Sequence, residues 1–308
     1  MPRQAYDRTG LELKLEWVSR RIIMPNEIPQ IQIHQRDAWL MRYRFMLTHV
    51  IAVVGCLWVD VTWESLLLCA FLYGIRMFGV TAGYHRYFSH RSFKTSRPFA
   101  FLLAFLAQSS AQRGVIWWAR NHRHHHRYSD KPEDLHSPVQ KGFWHSHVGW
   151  IFKAEAYQKH DNIRDLERVP ELAWLDRHPM LPAILLAIGC TAAFGWSGLF
   201  VGFFLSTVLL FHGTFTINSL AHVWGARRFA TTDDSRNNIW LALITLGEGW
   251  HNNHHRYMRS ARQGFYWWEI DLCYYALWCL SKCGLIWELR AVPKQILDEG
   301  LGLTATSD

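Results

Sequence analysis

Eighteen histidines stand among the 308 residues, and eight of them fall into three tight groups. His85 and His90 close the stretch His-Arg-Tyr-Phe-Ser-His. His122, His125 and His126 lie in His-Arg-His-His-His, and His251, His254 and His255 in His-Asn-Asn-His-His. A single histidine is more often a hydrogen-bonded core residue than a ligand. Two H-x-x-H-H triplets beside an H-x-x-x-x-H are not explained by packing. Positions i, i+3 and i+4 share one helix face, so each triplet is expected to turn three imidazoles to one side. Imidazole binds Zn, Cu, Fe and Ni, so residue type alone does not choose the metal. The number is more informative: eight clustered histidines exceed the coordination of one ion, and two ions are implied.

Several other chemistries lack their residues. No H-E-x-x-H is present, which removes the zincin protease pattern. The six cysteines, Cys56, Cys69, Cys190, Cys273, Cys279 and Cys283, form no CxxC pair. Neither a disulfide framework nor a zinc-thiolate site is expected. The formal charge is +8, but the basic residues form no compact nucleic-acid motif, and no nucleic-acid partner is expected.

The elements that must position the histidines are apolar and segregated from the charges. From His178 to Ala226, 49 residues pass without Asp, Glu, Lys or Arg. A water-soluble helix needs a polar face, so this run is expected to lie in a membrane as a hairpin, turning at Gly195-Trp196-Ser197-Gly198. Spans of about 179–195 and 198–220 result. A first hairpin is expected over about 45–60 and 65–83, turning near Asp60 and Glu64. Of the 33 Lys and Arg, eight fall in residues 1–44, fifteen in 84–177 and nine in 223–308, leaving only Arg76 inside an apolar run. The positive-inside rule then puts both termini and the central segment in the cytoplasm. No apolar run precedes residue 45, and no cleavable signal peptide is expected. Phe99–Leu106 is too short to span and reads as an interfacial or buried helix. Trp117, Trp118, Trp144, Trp150, Trp267 and Trp268 are candidates for a headgroup-level belt or for core packing. The expected fold is all-α and integral to the membrane: four transmembrane helices in two hairpins, with a helical cytoplasmic cap. The domain limits follow as 1–44 (cytoplasmic N-terminal segment), 45–290 (membrane domain) and 291–308 (tail).

The three histidine motifs resemble the histidine boxes of the membrane fatty-acid desaturases, most closely the acyl-CoA Δ9 (stearoyl-CoA-type) branch. Asn218-Ser219-Leu220-Ala221-His222 is similar to that branch's N-S-x-A-H element. The resemblance covers about residues 40–290. It implies a di-iron site in the cap with ligands His85, His90, His122, His125, His126, His222, His251, His254 and His255, and Asn218 reaching an iron through water. His222 enters through the resemblance alone. His124 falls on a variable position, and His136, His145 and His147 are expected to play supporting roles. Asp130, Glu133, Asp134 and Glu248 are candidates to accept N–H bonds from the ligands.

The resemblance further implies O2-dependent formation of a cis double bond, at Δ9, in a long-chain acyl thioester. An unactivated methylene is beyond any ordinary side chain, so the metal must supply the chemistry. Trp118 and Thr214 match positions beside the bend of the acyl tunnel. Tyr73 and Met77, four residues apart and so on one helix face, are expected near its far end. Arg120 matches a family arginine near the CoA moiety. Arg113, Asn121 and Phe215 depart from the animal acyl-CoA enzymes, so the carrier could instead be acyl carrier protein or a membrane lipid. The chain has no dinucleotide fingerprint and no H-P-G-G haem element, so a separate electron donor of ferredoxin or cytochrome b5 type is expected. A di-iron membrane hydroxylase of alkyl or lipid substrates is the alternative, distinguished by an alcohol product.

Overall fold

The computed structural model describes residues 28–159 and 163–303, and the statements below concern those residues. The first 27 residues of the expected N-terminal segment and the last five of the tail lie outside them. The described chain is almost wholly helical, with one two-residue antiparallel pairing of Lys94–Thr95 on Ile286–Trp287. Three helical runs are long and apolar enough to cross a membrane: Gln32–Trp58, Trp63–Ser89 and Leu181–His222.

Helix α1, Ile28–Trp58, starts well before the expected boundary at residue 45. Its first half carries Arg36, Asp37, Arg42 and Arg44, which interrupt any apolar run in the sequence. One stripe of that half is nevertheless apolar. Ala38, Met41 and Phe45 are buried in a cluster with Trp150, Ile151 and Tyr157, so helical periodicity continues where overall hydropathy fails.

Helix α2, Trp63–Phe78, opens on a reciprocal capping box between Thr62 and Ser65. It runs on without a break into a π-wound segment, Gly79–Ser89, six residues beyond the expected end of the span. Helix α3, Arg97–Gln108, is the short apolar stretch, and it packs closely on this segment. A β-carbon at Gly79 would lie 2.8 Å from the Ala107 amide nitrogen, and one at Gly83 would lie 3.0 Å from the Leu103 carbonyl oxygen. Two glycines four apart let the backbones approach this closely.

Helix α4, Val115–Tyr128, has Gly114 at its N-cap and no side-chain cap of its own. The cap comes from helix α5, Pro170–Arg177, whose Asp176 carboxylate accepts from the amides of Ile116 and Trp117 at 2.9 and 3.2 Å. Helix α6, Leu181–Ser197, is interrupted at Gly195, where φ is +61°. The chain continues as a π-wound segment, Gly198–Leu205, and helix α7, Ser206–Asn218. Ala183, Ala187 and Thr191 on one side of Gly195 line a single apolar cavity with Leu199, Phe203 and Thr207 on the other. Short helices α8 (Ile239–Ile244), α9 (His251–Arg256), α10 (Leu272–Lys282) and α11 (Lys294–Gly300) complete the chain.

All six cysteines are free. The tryptophans divide: Trp144, Trp267 and Trp268 are exposed, whereas Trp117 and Trp150 are buried and stacked 5.8 Å apart. Belt placement is therefore open to the first three only.

The packing makes a direct prediction. Gly79→Leu should lower the stability in detergent by about 1–3 kcal/mol, because the added side chain meets backbone. Gly74→Leu, with open space around the position, should be near neutral in the same thermal unfolding experiment.

Candidate metal centre

The three histidine boxes reach the centre by different backbone devices. On an α-helix, residues five apart point about 140° away from each other. The π winding of Gly79–Ser89 removes that divergence: its i→i+5 pattern, ending in the bond from the His90 amide to the His85 carbonyl, puts both rings on one side. The ring centroids lie 4.8 Å apart. The H-x-x-x-x-H spacing is therefore a π-helix spacing.

Each triplet sits on a helix, α4 or α9, but its three rings do not serve one point. His85, His90, His122, His126 and His254 form one group, and His125, His222, His251 and His255 a second, each with its ligand atoms within 4.8 Å of one another. Thus α4 gives its i and i+4 rings to the first group and its i+3 ring to the second. Helix α9 does the reverse. The expectation that each triplet converges as a unit is corrected: i and i+4 lie about 40° apart around the helix, while i+3 is rotated the other way. All nine histidines expected as ligands fall in these two groups, which are contiguous through His126 and His255, with ring centroids 4.5 Å apart.

The nitrogens approach one another at hydrogen-bonding distance. In the first group, the Nε2 atoms of His85, His254, His126, His122 and His90 follow in sequence at separations of 3.0, 2.9, 3.0 and 2.8 Å. In the second, His222 Nε2 and His251 Nε2 are 3.1 Å apart. Four Nδ1 atoms face carboxylates. His85 pairs with Glu248, His125 with Asp134 (3.0 Å), His222 with Asp130 (2.9 Å) and His255 with Asp233 (2.7 Å). Donation from Nδ1 fixes the tautomer and leaves Nε2 as a bare lone pair. The buried Nε2 of His255 has no protein partner.

Burial drives the imidazoles toward the neutral form that binds metal. His122, His126, His251 and His254 are held well below the ordinary histidine range, first by desolvation and then by neighbouring imidazoles. Burial lowers His255 to about 4, even against the pull of Asp233. For the carboxylates burial acts upward but loses. The hydrogen bond and charge of His222 hold Asp130 at about 2, and His125 and His255 depress Asp134 and Asp233 further.

Two cavities meet at the centre and share Trp118, His122, Thr214 and Asn218. The first also takes in Met41, Gln112, Trp117 and Trp150, and Gln112 Nε2 donates to Thr214 Oγ1 at 3.0 Å. The second takes in Met77, Val80, Thr81, His85, His125 and His251. Tyr73 does not line it but stands behind Met77, its hydroxyl donating to the Ile244 carbonyl at 2.6 Å. Arg120 lies outside both cavities. Its guanidinium is held 3.5 Å from Glu167.

A family model for fatty acid desaturases matches residues 61–280. The chain belongs to the fatty acid desaturase family. It is 36% identical over 265 residues to an sn-2 palmitoyl-lipid 9-desaturase of Nostoc sp. (strain 36), covering 83% of this chain and 92% of that protein. An acyl-CoA C20 Delta5-desaturase of Anemone leveillei is 35% identical over 288 residues, covering 88% and 90%. A hex-5-enoyl-[acyl-carrier protein] acetylenase of Moorena producens (strain JHB) is 34% identical over 286 residues, covering 84% and 89%. This desaturase is accordingly a membrane oxidoreductase of lipid metabolism with histidine clusters for metal binding. The family is iron-dependent. The donor set fits such an ion: the gathered side chains are imidazoles, four of them held through Nδ1 by carboxylates, and the buried Nε2 of His255 has no protein partner.

Asp233 was not anticipated. It lies in irregular chain 22 residues before His255, with helix α8 between them, and no spacing marks it. Glu133, anticipated as an acceptor, instead offers its backbone carbonyl to His124 Nε2. His136 and His145 bond locally, to the Asp134 carboxylate through the backbone amide and to the Leu135 carbonyl through Nε2. His147 belongs to a separate chain through Ser219, His212 and His49.

The pH dependence follows with its sign. A histidine whose folded pKa is depressed stabilises the fold above its unfolded value near 6.5, and that contribution is lost as pH falls below it. The metal-free protein should therefore lose thermal stability between pH 7 and 5, by up to about 1.4 kcal/mol per group and pH unit. A melting temperature flat over that range would mean the imidazoles are hydrated.

Proposed function

We propose that this desaturase introduces a cis double bond, at Δ9, into a long-chain acyl group at two iron ions, one in each histidine group. The observation that carries the reading is the junction of the two cavities at Trp118 and Thr214, directly beside imidazoles of both groups. An extended alkyl chain entering the first cavity would bend there, bringing its middle methylenes to the metals and its methyl end toward Met77.

The balance is –CH2–CH2– + O2 + 2 e⁻ + 2 H⁺ → –CH=CH– + 2 H2O, with the electrons from a separate donor of ferredoxin or cytochrome b5 type. Iron supplies the reductive activation of O2 that hydrogen removal from a methylene requires. The protein's own residues do the rest. The four carboxylates would orient ligand rings, Trp118 and Thr214 would hold the chain's bend, and Asn218 would hold a water near the metals, a role its position in the lining of both cavities supports.

Charge placement supports a cytoplasmic centre and cytoplasmic termini. Gly195, with its positive φ and the cavity shared by its two flanks, supports division of the Leu181–His222 run into two spans, giving four in all.

The thioester carrier we propose is CoA. One observation favours an acyl lipid as a second reading: Arg120 is occupied by Glu167, and no Lys or Arg lines either cavity to meet a CoA phosphate.

Expression in a host lacking desaturases, followed by mass spectrometry of fatty-acid methyl esters, tests the activity. Unsaturated products should appear with a competent donor and vanish in His125→Ala. A hydroxylated product would favour the alternative chemistry, and an unchanged profile would reject the proposal. Feeding acyl-CoA and acyl-lipid substrates to purified protein separates the carriers. Met77, bulky at the far end of the second cavity, is proposed to shorten it and favour C16 over C18 chains, so Met77→Ala should relax that preference by about tenfold or more, since one methylene is worth about 1–3 kcal/mol in an apolar pocket. An unchanged product ratio would remove Met77 from the end of the tunnel.

A further inference from the structure

The two histidine groups differ in what stands behind their rings. In the four-histidine group, three of the four imidazoles donate to an aspartate: His125 to Asp134, His222 to Asp130 and His255 to Asp233. None of these aspartates has a lysine or arginine among its hydrogen-bond partners in the described residues. Asp130 takes the Ser137 hydroxyl and the Asp234 amide, Asp134 the amides of Asp130 and His136, and Asp233 the amide and hydroxyl of Ser235.

In the five-histidine group only His85 is backed by a carboxylate, Glu248. That carboxylate is shared. Arg86 donates to Glu248 from Nε and Nη2 at 3.2 and 3.1 Å, and to Asp271 at 3.0 and 3.1 Å. The formal charges behind the groups are thus three negative against one negative, the latter being two carboxylates offset by one guanidinium.

We propose that this inequality makes the two metal positions redox-distinct, with the four-histidine position holding the ferric ion and the five-histidine position the ferrous ion when the centre carries one oxidising equivalent. A carboxylate behind a ligand imidazole raises that ring's basicity and adds a full negative charge near the ion, and both favour the higher metal charge. The five rings of the other position are neutral donors, four of them without a carboxylate partner. The electron taken in the first oxidation therefore leaves the four-histidine ion. Asp130, Asp134 and Asp233 act here as positioning and tuning residues, through His222, His125 and His255. This inference rests on the reading that each group holds one iron.

The test uses the intact protein loaded with 57Fe, reduced, and treated with ferricyanide, which accepts one electron for each Fe2+ converted to Fe3+. Mössbauer spectra should show two ferrous doublets of equal area, one becoming ferric within the first equivalent while the other persists until the second. Asp134→Asn and Asp233→Asn should narrow this separation, so that both doublets convert more nearly together. Each should also loosen one iron of the two by about 10–100-fold in a chelator titration while the other is retained. Glu248→Gln should leave the order of oxidation intact. Two irons that oxidise in parallel in the unsubstituted protein would overturn the inference while leaving the di-iron reading standing. Glu248→Gln abolishing the order while both aspartate variants preserve it would also overturn it. Fewer than two irons per chain would instead overturn the reading on which it rests. The unsubstituted protein decides the main point whether or not the variants fold.

Discussion

Nine imidazoles brought together in the interior are the constraint on which this fold depends. Their Nε2 lone pairs face one another at about the separation of adjacent ligands around a cation. Without a cation that arrangement rests on N–H···N bonds from the rings not already tied through Nδ1–H to a carboxylate, since those four have no second proton to offer. The protein also holds it by other means. Each carboxylate is itself buried and bonded more than once, as Asp130 is by His222, Ser137 and the Asp234 amide. Through these bonds the loops that carry the aspartates are tied to the helices that carry the rings.

The backbone is constrained in the same way. The π winding that sets His85 beside His90 is widened relative to an α-helix, and the close seat of α3 against Gly79 and Gly83 supports it from behind. The start of α4, which carries three ligands, takes its cap from Asp176 in a different helix. Arg86, fully buried, joins the π segment to the Glu248 loop and to Asp271 at the start of α10. Removing Arg86 would strand two buried carboxylates, a loss of about 3–5 kcal/mol where such pairs have been broken. Local elements here are conditional on tertiary partners far away in sequence.

That conditionality explains what the sequence shows and what it hides. Eight of the nine histidines were legible because ligand chemistry demands one residue type at repeated short spacings, while His222 entered through the resemblance alone. The π winding was not, since the spacing of His85 and His90 acquires meaning only once the backbone is known. The sharing of each triplet between two groups was equally hidden: it depends on α4 and α9 facing each other, and a one-helix projection cannot show that. The polar half of α1 escaped notice because Arg36, Arg42 and Arg44 break the apolar run while the stripe through Ala38, Met41 and Phe45 continues beneath them. Asp130, Asp134 and Glu248 lay close enough in sequence to the boxes to be anticipated. Asp233, in irregular chain 22 residues from its partner, offered no period to detect. Arg120 shows what position alone leaves out, since the 3.5 Å contact of its guanidinium with Glu167 depends on a residue 47 positions away.

The placement of charge also bears on how such a site admits an alkyl chain. Asp130, Asp134 and Asp233 all stand behind the rings, away from the two cavities, whose linings are otherwise neutral. Glu248 is the one charged residue that lines either cavity, and it is also the one backing carboxylate with a guanidinium on it. An unpaired carboxylate there would keep water in the cavity and raise the cost of filling it with methylenes. Pairing with Arg86 removes much of that cost but also removes negative charge from the five-histidine group. On this view the inequality between the two groups is tied to the demands of an apolar substrate: the side of the centre that touches the second cavity through His85 and Glu248 is the side whose carboxylate had to be neutralised.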